Sequence, residues 1–284
     1  LDPEKRELGD AERERLGGTY TSLSDGVTHY RLDGPDGGRP IVLVHGGTVP
    51  LWAWDKQIQT LKEEGYQILR YDMYGRGYSD RPAISYDREL YRRQLSELVD
   101  QLGLALPFDV MGCSLGGGTA INFTAQYPQK VRKLILISPV VNHYKIPSLF
   151  RIPVLGEFMV RIVGLKLMTR RFKSLIEGSP ESKKYTKLYT EQMTYHGFQR
   201  SLLSMLRNDA ISGDYGHSLQ AVGRHEHAVL LIWGTADKEI TQPMISKIQS
   251  YLPHLDYQPI DGAGHGIVFQ KSDLVNALIR DFLR

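Results

Sequence analysis

Only one cysteine, Cys113, occurs in the 284 residues. A lone thiol closes no intrachain disulfide and builds no cysteine-based zinc site. It fits a reducing compartment, and the expected location is cytoplasmic. No run of about 18 apolar residues occurs, so no membrane-spanning helix is expected. An excess of charge of either sign is also lacking. The formal net charge of +3 is too small for a nucleic-acid-binding surface. The first 18 residues are rich in Glu, Arg and Asp and lack the apolar stretch of a secretory signal. They read as a charged N-terminal arm, either a helix or frayed. Internal repeats and low-complexity tracts are absent too. What remains is ordinary globular material, 41% hydrophobic and 24% charged, at a length that suits one domain or one domain with an insertion.

Along the chain a rhythm begins after the Gly- and Pro-rich stretch 31–40. Two strands around the turn Ser24-Asp25-Gly26 precede it. Ile41-Val42-Leu43-Val44 is a short continuous apolar run, the signature of a strand buried on both faces. Helical and strand-like segments then alternate: helix 54–64, strand 67–71, helix 87–102, strand 108–112, helix 115–127, strand 133–137. Such alternation builds a mostly parallel sheet with helices on both sides. The rhythm stops at Pro139 and resumes with a strand from Ala228, a helix 242–251, a strand 255–260 and a closing helix 272–283. Residues 142–222 are therefore expected as a helical cap, inserted between two strands of a core made of 19–141 and 223–284. This insertion carries 12 Lys+Arg against 6 Asp+Glu, so the chain's excess of positive over negative charge lies there.

One turn in this rhythm carries chemistry. Gly112-Cys113-Ser114-Leu115-Gly116-Gly117 joins a strand directly to a helix. That is the context in which a G-x-S-x-G pattern presents a nucleophile. The turn is tight, so small residues are needed two before and two after the serine, and Gly112 and Gly116 supply them. The amide of Leu115, at the start of the helix, is available to an oxyanion. The competing reading is a glycine-rich turn with an incidental serine. A serine needs a base. His265, in the glycine-flanked loop after the last strand, is the candidate. Asp237, just past the strand that starts at Ala228, is the acid expected to orient it, with Asp261 as runner-up. A second oxyanion amide is expected from the loop His45-Gly46-Gly47, with Gly47 preferred over Thr48. Cys113 reads as a small inert residue. His225-Glu226-His227 lacks a third ligand for a metal.

Taken together, five ordered motifs resemble the α/β-hydrolase superfamily: His45-Gly46-Gly47, the loop from Asp72 to Ser79, the turn around Ser114, Gly234-Thr235-Ala236-Asp237, and Gly264-His265. The resemblance extends from about Thr19 to the C-terminus. It implies an α/β fold with an eight-stranded, mostly parallel sheet and a helical cap, and a Ser114–His265–Asp237 triad. Asp72 would tie a turn together. A serine in place of aspartate at the nucleophile position argues against the haloalkane dehalogenase and epoxide hydrolase branches.

The leading functional expectation is a carboxylesterase acting on small to medium, fairly apolar esters through an acyl-enzyme, with no cofactor or metal. A carbon–carbon bond hydrolase of the meta-cleavage type is the nearest alternative. Thioesterase, lactonase and perhydrolase activities use the same triad. A non-catalytic binding protein on the same fold is the reading from a different class. Specificity is expected from the cap, whose stretch from Ile146 to Phe172 is dense in Ile, Leu, Val, Met and Phe. These side chains either line an acyl pocket or pack the cap onto the sheet. Arg151, Arg161, Lys166, Arg170, Arg171 and Lys173 lie among them, as a solvated face or as a basic amphipathic helix on a lipid surface. Trp52 and Trp54 either border the pocket or pack the core.

Overall fold

A computed structural model describes residues 3–142, 147–225 and 227–284. Ile146 and Glu226, singled out in the sequence, lie outside the described residues. The strands are β1 (Thr19–Leu23), β2 (Gly26–Asp33), β3 (Arg39–Val44), β4 (Tyr66–Tyr71), β5 (Phe108–Cys113), β6 (Val131–Ile137), β7 (Ala228–Gly234) and β8 (Asp256–Ile260). They form one eight-stranded sheet in the order β1-β2-β4-β3-β5-β6-β7-β8. β2 pairs antiparallel with both β1 and β4, and every other pairing is parallel.

The apolar runs explain the interior of this sheet. Successive side chains of a strand point to opposite faces. Along β3, Ile41 and Leu43 enter one hydrophobic core while Val42 and Val44 enter the other. All four are fully buried, which only a sheet covered on both sides permits. The covering helices are set by local signals. α1 (Asp10–Leu16) precedes the sheet and α2 (Asp55–Glu63) follows a short 3-10 turn at Leu51–Trp54. α3 (Arg88–Gln101) begins where the Asp87 carboxylate accepts from the Leu90 amide at 2.8 Å, an N-cap. α4 (Leu115–Gln126) stops ahead of Pro128, which disfavours helix in the residue before it.

Between β6 and β7 the described residues are mostly helical. α5 (Leu155–Met159) runs through a wider π-helical turn at Val160–Gly164 into α6 (Leu165–Leu175). Then come α7 (Ser182–Glu191), α8 (Phe198–Arg207), α9 (Asp209–Ser212) and α10 (Gly216–Arg224). α11 (Gln242–Tyr251), α12 (Ile267–Gln270) and α13 (Ser272–Leu283) complete the fold around β7 and β8.

The N-terminal arm is not frayed over its described part. The Lys5 and Arg6 amides both donate to the Thr194 carbonyl, and the His196 amide donates to the Arg6 carbonyl at 2.9 Å. The Glu4 carboxylate accepts from the Gly197 and Gln199 amides at 2.8 and 2.5 Å, where α8 starts. A carboxylate there satisfies orphan amides and the positive end of the helix dipole together. On the other side, Arg13 pairs with Asp80 of the core at 2.5 Å. The arm thus bridges the core and the inserted helices.

Candidate active site

Because β5, β7 and β8 run parallel, their carboxyl ends lie along one edge of the sheet. Ser114, Asp237 and His265 follow those three ends. The serine sits at φ 53°, ψ −120°, a left-handed region that L-residues enter at a cost. Packing holds it there. A Cβ on Gly112 would come within 2.3 Å of the Gly116 carbonyl, and one on Gly116 within 2.1 Å of the Val44 carbonyl. Only glycine lets strand, turn and helix approach this closely.

The three side chains meet. His265 Nε2 is 3.1 Å from Ser114 Oγ, and His265 Nδ1 is 2.8 Å from Asp237 Oδ2. The other carboxylate oxygen, Asp237 Oδ1, accepts from the Glu239 and Ile240 amides at 2.8 and 3.0 Å. Burial alone would raise the Asp237 pKa, but the hydrogen bond and charge of His265 and these amides hold it below the usual carboxylate range. Burial alone would lower that of His265. The hydrogen bond to Asp237 and the charges of Glu239 and Asp237 outweigh it, and the imidazole is raised above its ordinary value. Asp261, the runner-up acid, instead accepts from Thr235 Oγ1 at 3.0 Å in a turn.

The loop after β3 lies against the start of α4. A Cβ on Gly46 would fall 3.4 Å from Ser114 Cβ, and one on Gly47 would fall 3.3 Å from the Leu115 side chain. The two candidate oxyanion donors, the amides of Gly47 and Leu115, therefore belong to backbone segments in contact. A buried arginine holds this loop. Arg76 Nε donates to the Gly47 carbonyl at 2.5 Å, and its Nη1 donates to Gly75 O and to Ser201 Oγ of α8. Gln192 donates to the Thr48 carbonyl at 2.9 Å. His45 shapes the same loop. Its Nε2 accepts from the Met73 amide at 2.9 Å and its Nδ1 donates to the Gly46 carbonyl. Burial pushes this ring down to about 4, so it stays neutral. Asp72 ties three segments together, accepting from Leu51 N and Tyr78 N and bonding His29 Nδ1 at 2.7 Å.

Above Ser114 is a cavity of about 210 Å³ that Ser114 and His265 border. Val49, Val140, Leu167, Met168, Phe172, Met205 and Val268 are among its apolar walls, which come from the core and the inserted helices alike. Trp54 lines it and also packs into the lower core. Trp52 stacks on Tyr185 of α7, with ring centres 5.2 Å apart, at the seam between the two parts. Cys113 borders the cavity, but burial and the charges of Asp237 and Glu239 push its thiol up to about 12, which leaves little thiolate near neutrality.

One lining residue, Glu239, escaped the sequence, and Arg171 was read only as part of a basic run. Glu239, two positions past Asp237, sits 3.5 Å from His265 Nε2 and forms an ion pair with Arg171 of α6. Arg171 stands in a basic run and Glu239 in a polar turn, and no spacing signal links them. Elsewhere, among the described residues, no group of three or more His, Cys, Asp or Glu gathers as a metal site, and no helix is long and apolar enough to cross a membrane.

Comparison with known proteins agrees with this architecture. A family profile described as alpha/beta hydrolase fold matches residues 39–272. Among curated proteins, the chain is 25% identical to a 2-hydroxy-6-oxononadienedioate/2-hydroxy-6-oxononatrienedioate hydrolase from Burkholderia vietnamiensis, over 93% of this chain and 95% of that protein. Among solved structures it is similar to an enol-lactonase from Burkholderia xenovorans, with a TM-score of 0.78 at 21% identity, covering 93% of this chain and 99% of the other. It is also similar to a thermophilic esterase from Thermogutta terrifontis, with a TM-score of 0.78 at 21% identity, covering 94% and 98%. At these identities the solved structures establish the fold and assign no substrate.

Proposed function

This chain belongs to the α/β-hydrolase fold family, and from that premise we propose that it is a serine hydrolase cleaving uncharged esters or lactones with an apolar acyl part. Ser114 is the nucleophile, His265 the base and Asp237 the orienting acid. Ser114 Oγ attacks the ester carbonyl while His265 Nε2 takes its proton. The amides of Gly47 and Leu115 donate to the resulting oxyanion, and such a donor contributes about 3 kcal/mol in related chemistry. Collapse of the tetrahedral intermediate breaks the C–O bond, and the proton on His265 goes to the leaving alkoxide. A water, deprotonated in turn by His265, hydrolyses the acyl-enzyme and restores Ser114.

The cavity lining supports this substrate class. Its walls are mainly apolar, and the two charged side chains beside the triad, Arg171 and Glu239, pair with each other. A neutral acyl chain enters such a pocket without leaving a charge unpaired, whereas a carboxylate would face a site with no net positive charge.

A second reading rests on a different observation. The Burkholderia vietnamiensis relative is named for hydrolysis of an oxo-dienedioate. That name favours carbon–carbon cleavage over ester cleavage, and the same triad would serve it. Competing turnover of p-nitrophenyl butyrate and of a 2-hydroxy-6-oxo-dienoate decides between them. Faster turnover of the dienoate overturns the ester assignment. The triad is tested by labelling with a fluorophosphonate probe. Wild type is expected to label and Ser114→Ala not to. Ser114→Ala and His265→Ala should each lose at least about a thousand-fold in kcat. Equal labelling of Ser114→Ala would remove it as nucleophile.

A further inference from the structure

The stretch from Ile152 to Leu167 breaks the pattern of the rest of the surface. Seven of the eleven large apolar side chains left exposed among the described residues fall within it. Val154 is 80% exposed, Leu167 60%, Phe158 57% and Ile162 46%. Scattered exposed apolar residues are normal on a protein surface, but a contiguous patch on one helical run marks an interaction site. A second observation concerns charge. Arg151, Arg161, Lys166, Arg170 and Lys173 all lie on the exposed side of the same run. Glu157, the one acidic residue between positions 151 and 173, is paired with Arg207 of α8. The third observation is position. Leu167 is both exposed and part of the cavity wall, and Val160, Gly164 and Met168 of the same run also line the cavity. The outer face of α5 and α6 is therefore continuous with the entrance to Ser114.

We propose that the α5–α6 face docks on an anionic lipid surface: Val154, Phe158 and Ile162 enter the acyl boundary, the surrounding Arg and Lys side chains meet lipid headgroups, and the cavity opens toward the bilayer. Apolar insertion and headgroup attraction act together in such interfacial helices. The basic ring selects a negatively charged surface over a zwitterionic one. The docked orientation would let an amphiphilic ester pass from the bilayer into the cavity along Leu167, without its apolar part crossing water. This last step rests on the hydrolase reading above, whereas docking does not.

Flotation of the full chain with vesicles tests the surface without turnover, so it stands apart from any hydrolysis assay. The chain is expected to float with vesicles of equal parts phosphatidylglycerol and phosphatidylcholine and to be released by salt. The double variant Phe158→Glu, Ile162→Glu is expected to lose at least about ten-fold in vesicle affinity. Neither side chain lines the cavity, so circular dichroism and hydrolysis of a water-soluble short ester check that the variant is folded. The proposal is overturned if wild type stays with the soluble fraction, if phosphatidylcholine alone floats it equally, or if the folded double variant floats like wild type. It is equally overturned if wild type runs as a dimer that the double variant breaks and no vesicle binding is seen; the patch would then join two copies of this chain.

Discussion

Glu239 is the side chain at the site whose chemistry reaches furthest beyond its sequence context. Its charge helps raise the pKa of His265, and Arg171 opposes that effect. In the proposed mechanism His265 acts as a base only when neutral, so whatever stabilises the imidazolium cuts activity on the acid side. Replacing Glu239 by Gln removes a negative charge near Nε2 and lowers the imidazole pKa. The acid limb of kcat/KM against pH, measured with a neutral ester, should therefore move to lower pH. A limb that stays put or moves up would mean that Glu239 does not influence the base. The candidate triad was legible because Ser114 and Asp237 follow strands that apolar runs revealed, and His265 stands in a glycine-flanked loop after the last strand of the alternation. Glu239 and Arg171 were not, since their pairing depends on how α6 lies over the loop after β7. The sequence also left open whether Gly47 or Thr48 supplies the second amide. The carbonyls of both are held from behind, by Arg76 and by Gln192, and neither is a local pattern.

At the scale of elements, the motif glycines differ in ways that their motifs do not display. A Cβ on Gly116 would lie 2.1 Å from the Val44 carbonyl and 2.4 Å from that of His45, both backbone atoms with no freedom to yield. Gly264, beside His265, has nothing within 4 Å of the same position. Gly116→Ala should lose about 3 kcal/mol or more of stability, through forced separation of β3 from α4. Gly264→Ala should melt within a degree or two of wild type, as an unconstrained loop substitution within about 0.5 kcal/mol. Thermal unfolding of the two proteins side by side checks the contrast, and equal melting temperatures would contradict it. The sheet itself was readable because strands buried on both faces leave unbroken apolar runs, as at Ile41–Val44. The inserted helices were read only as irregular and helical. Periodicity reports that a helix has an apolar face, but not whether that face meets the core, as Phe172 does, or solvent, as Phe158 does.

Across the whole molecule, the N-terminal arm does what its composition did not suggest. A charged stretch with few large apolar residues reads as solvated. Here its backbone pairs with Thr194 and His196, its Glu4 caps α8, and its Arg13 reaches Asp80. Those bonds join the arm to segments far along the chain, so no local signal announces them. Deleting residues 1–8 should cost about 2–3 kcal/mol, since several hydrogen bonds of about 1 kcal/mol each are lost together. The deletion should also raise KM more than it lowers kcat, because the tie it removes holds cavity walls rather than the triad. Melting and steady-state kinetics of the shortened chain measure both, and an unchanged KM would show that the inserted helices hold their place without the arm.

The stack of Trp52 on Tyr185 has an optical consequence. Two of the three indoles, Trp54 and Trp233, are buried within the core, at 0% and 4% exposure. Trp52 alone stands at the seam, with Tyr185 and Phe172 from the inserted helices packed on it. Any parting of those helices from the sheet wets this indole first, whereas Trp233, outside the cavity lining, stays dry. The emission wavelength of the unlabelled protein thus becomes a gauge of how far the entrance stands open.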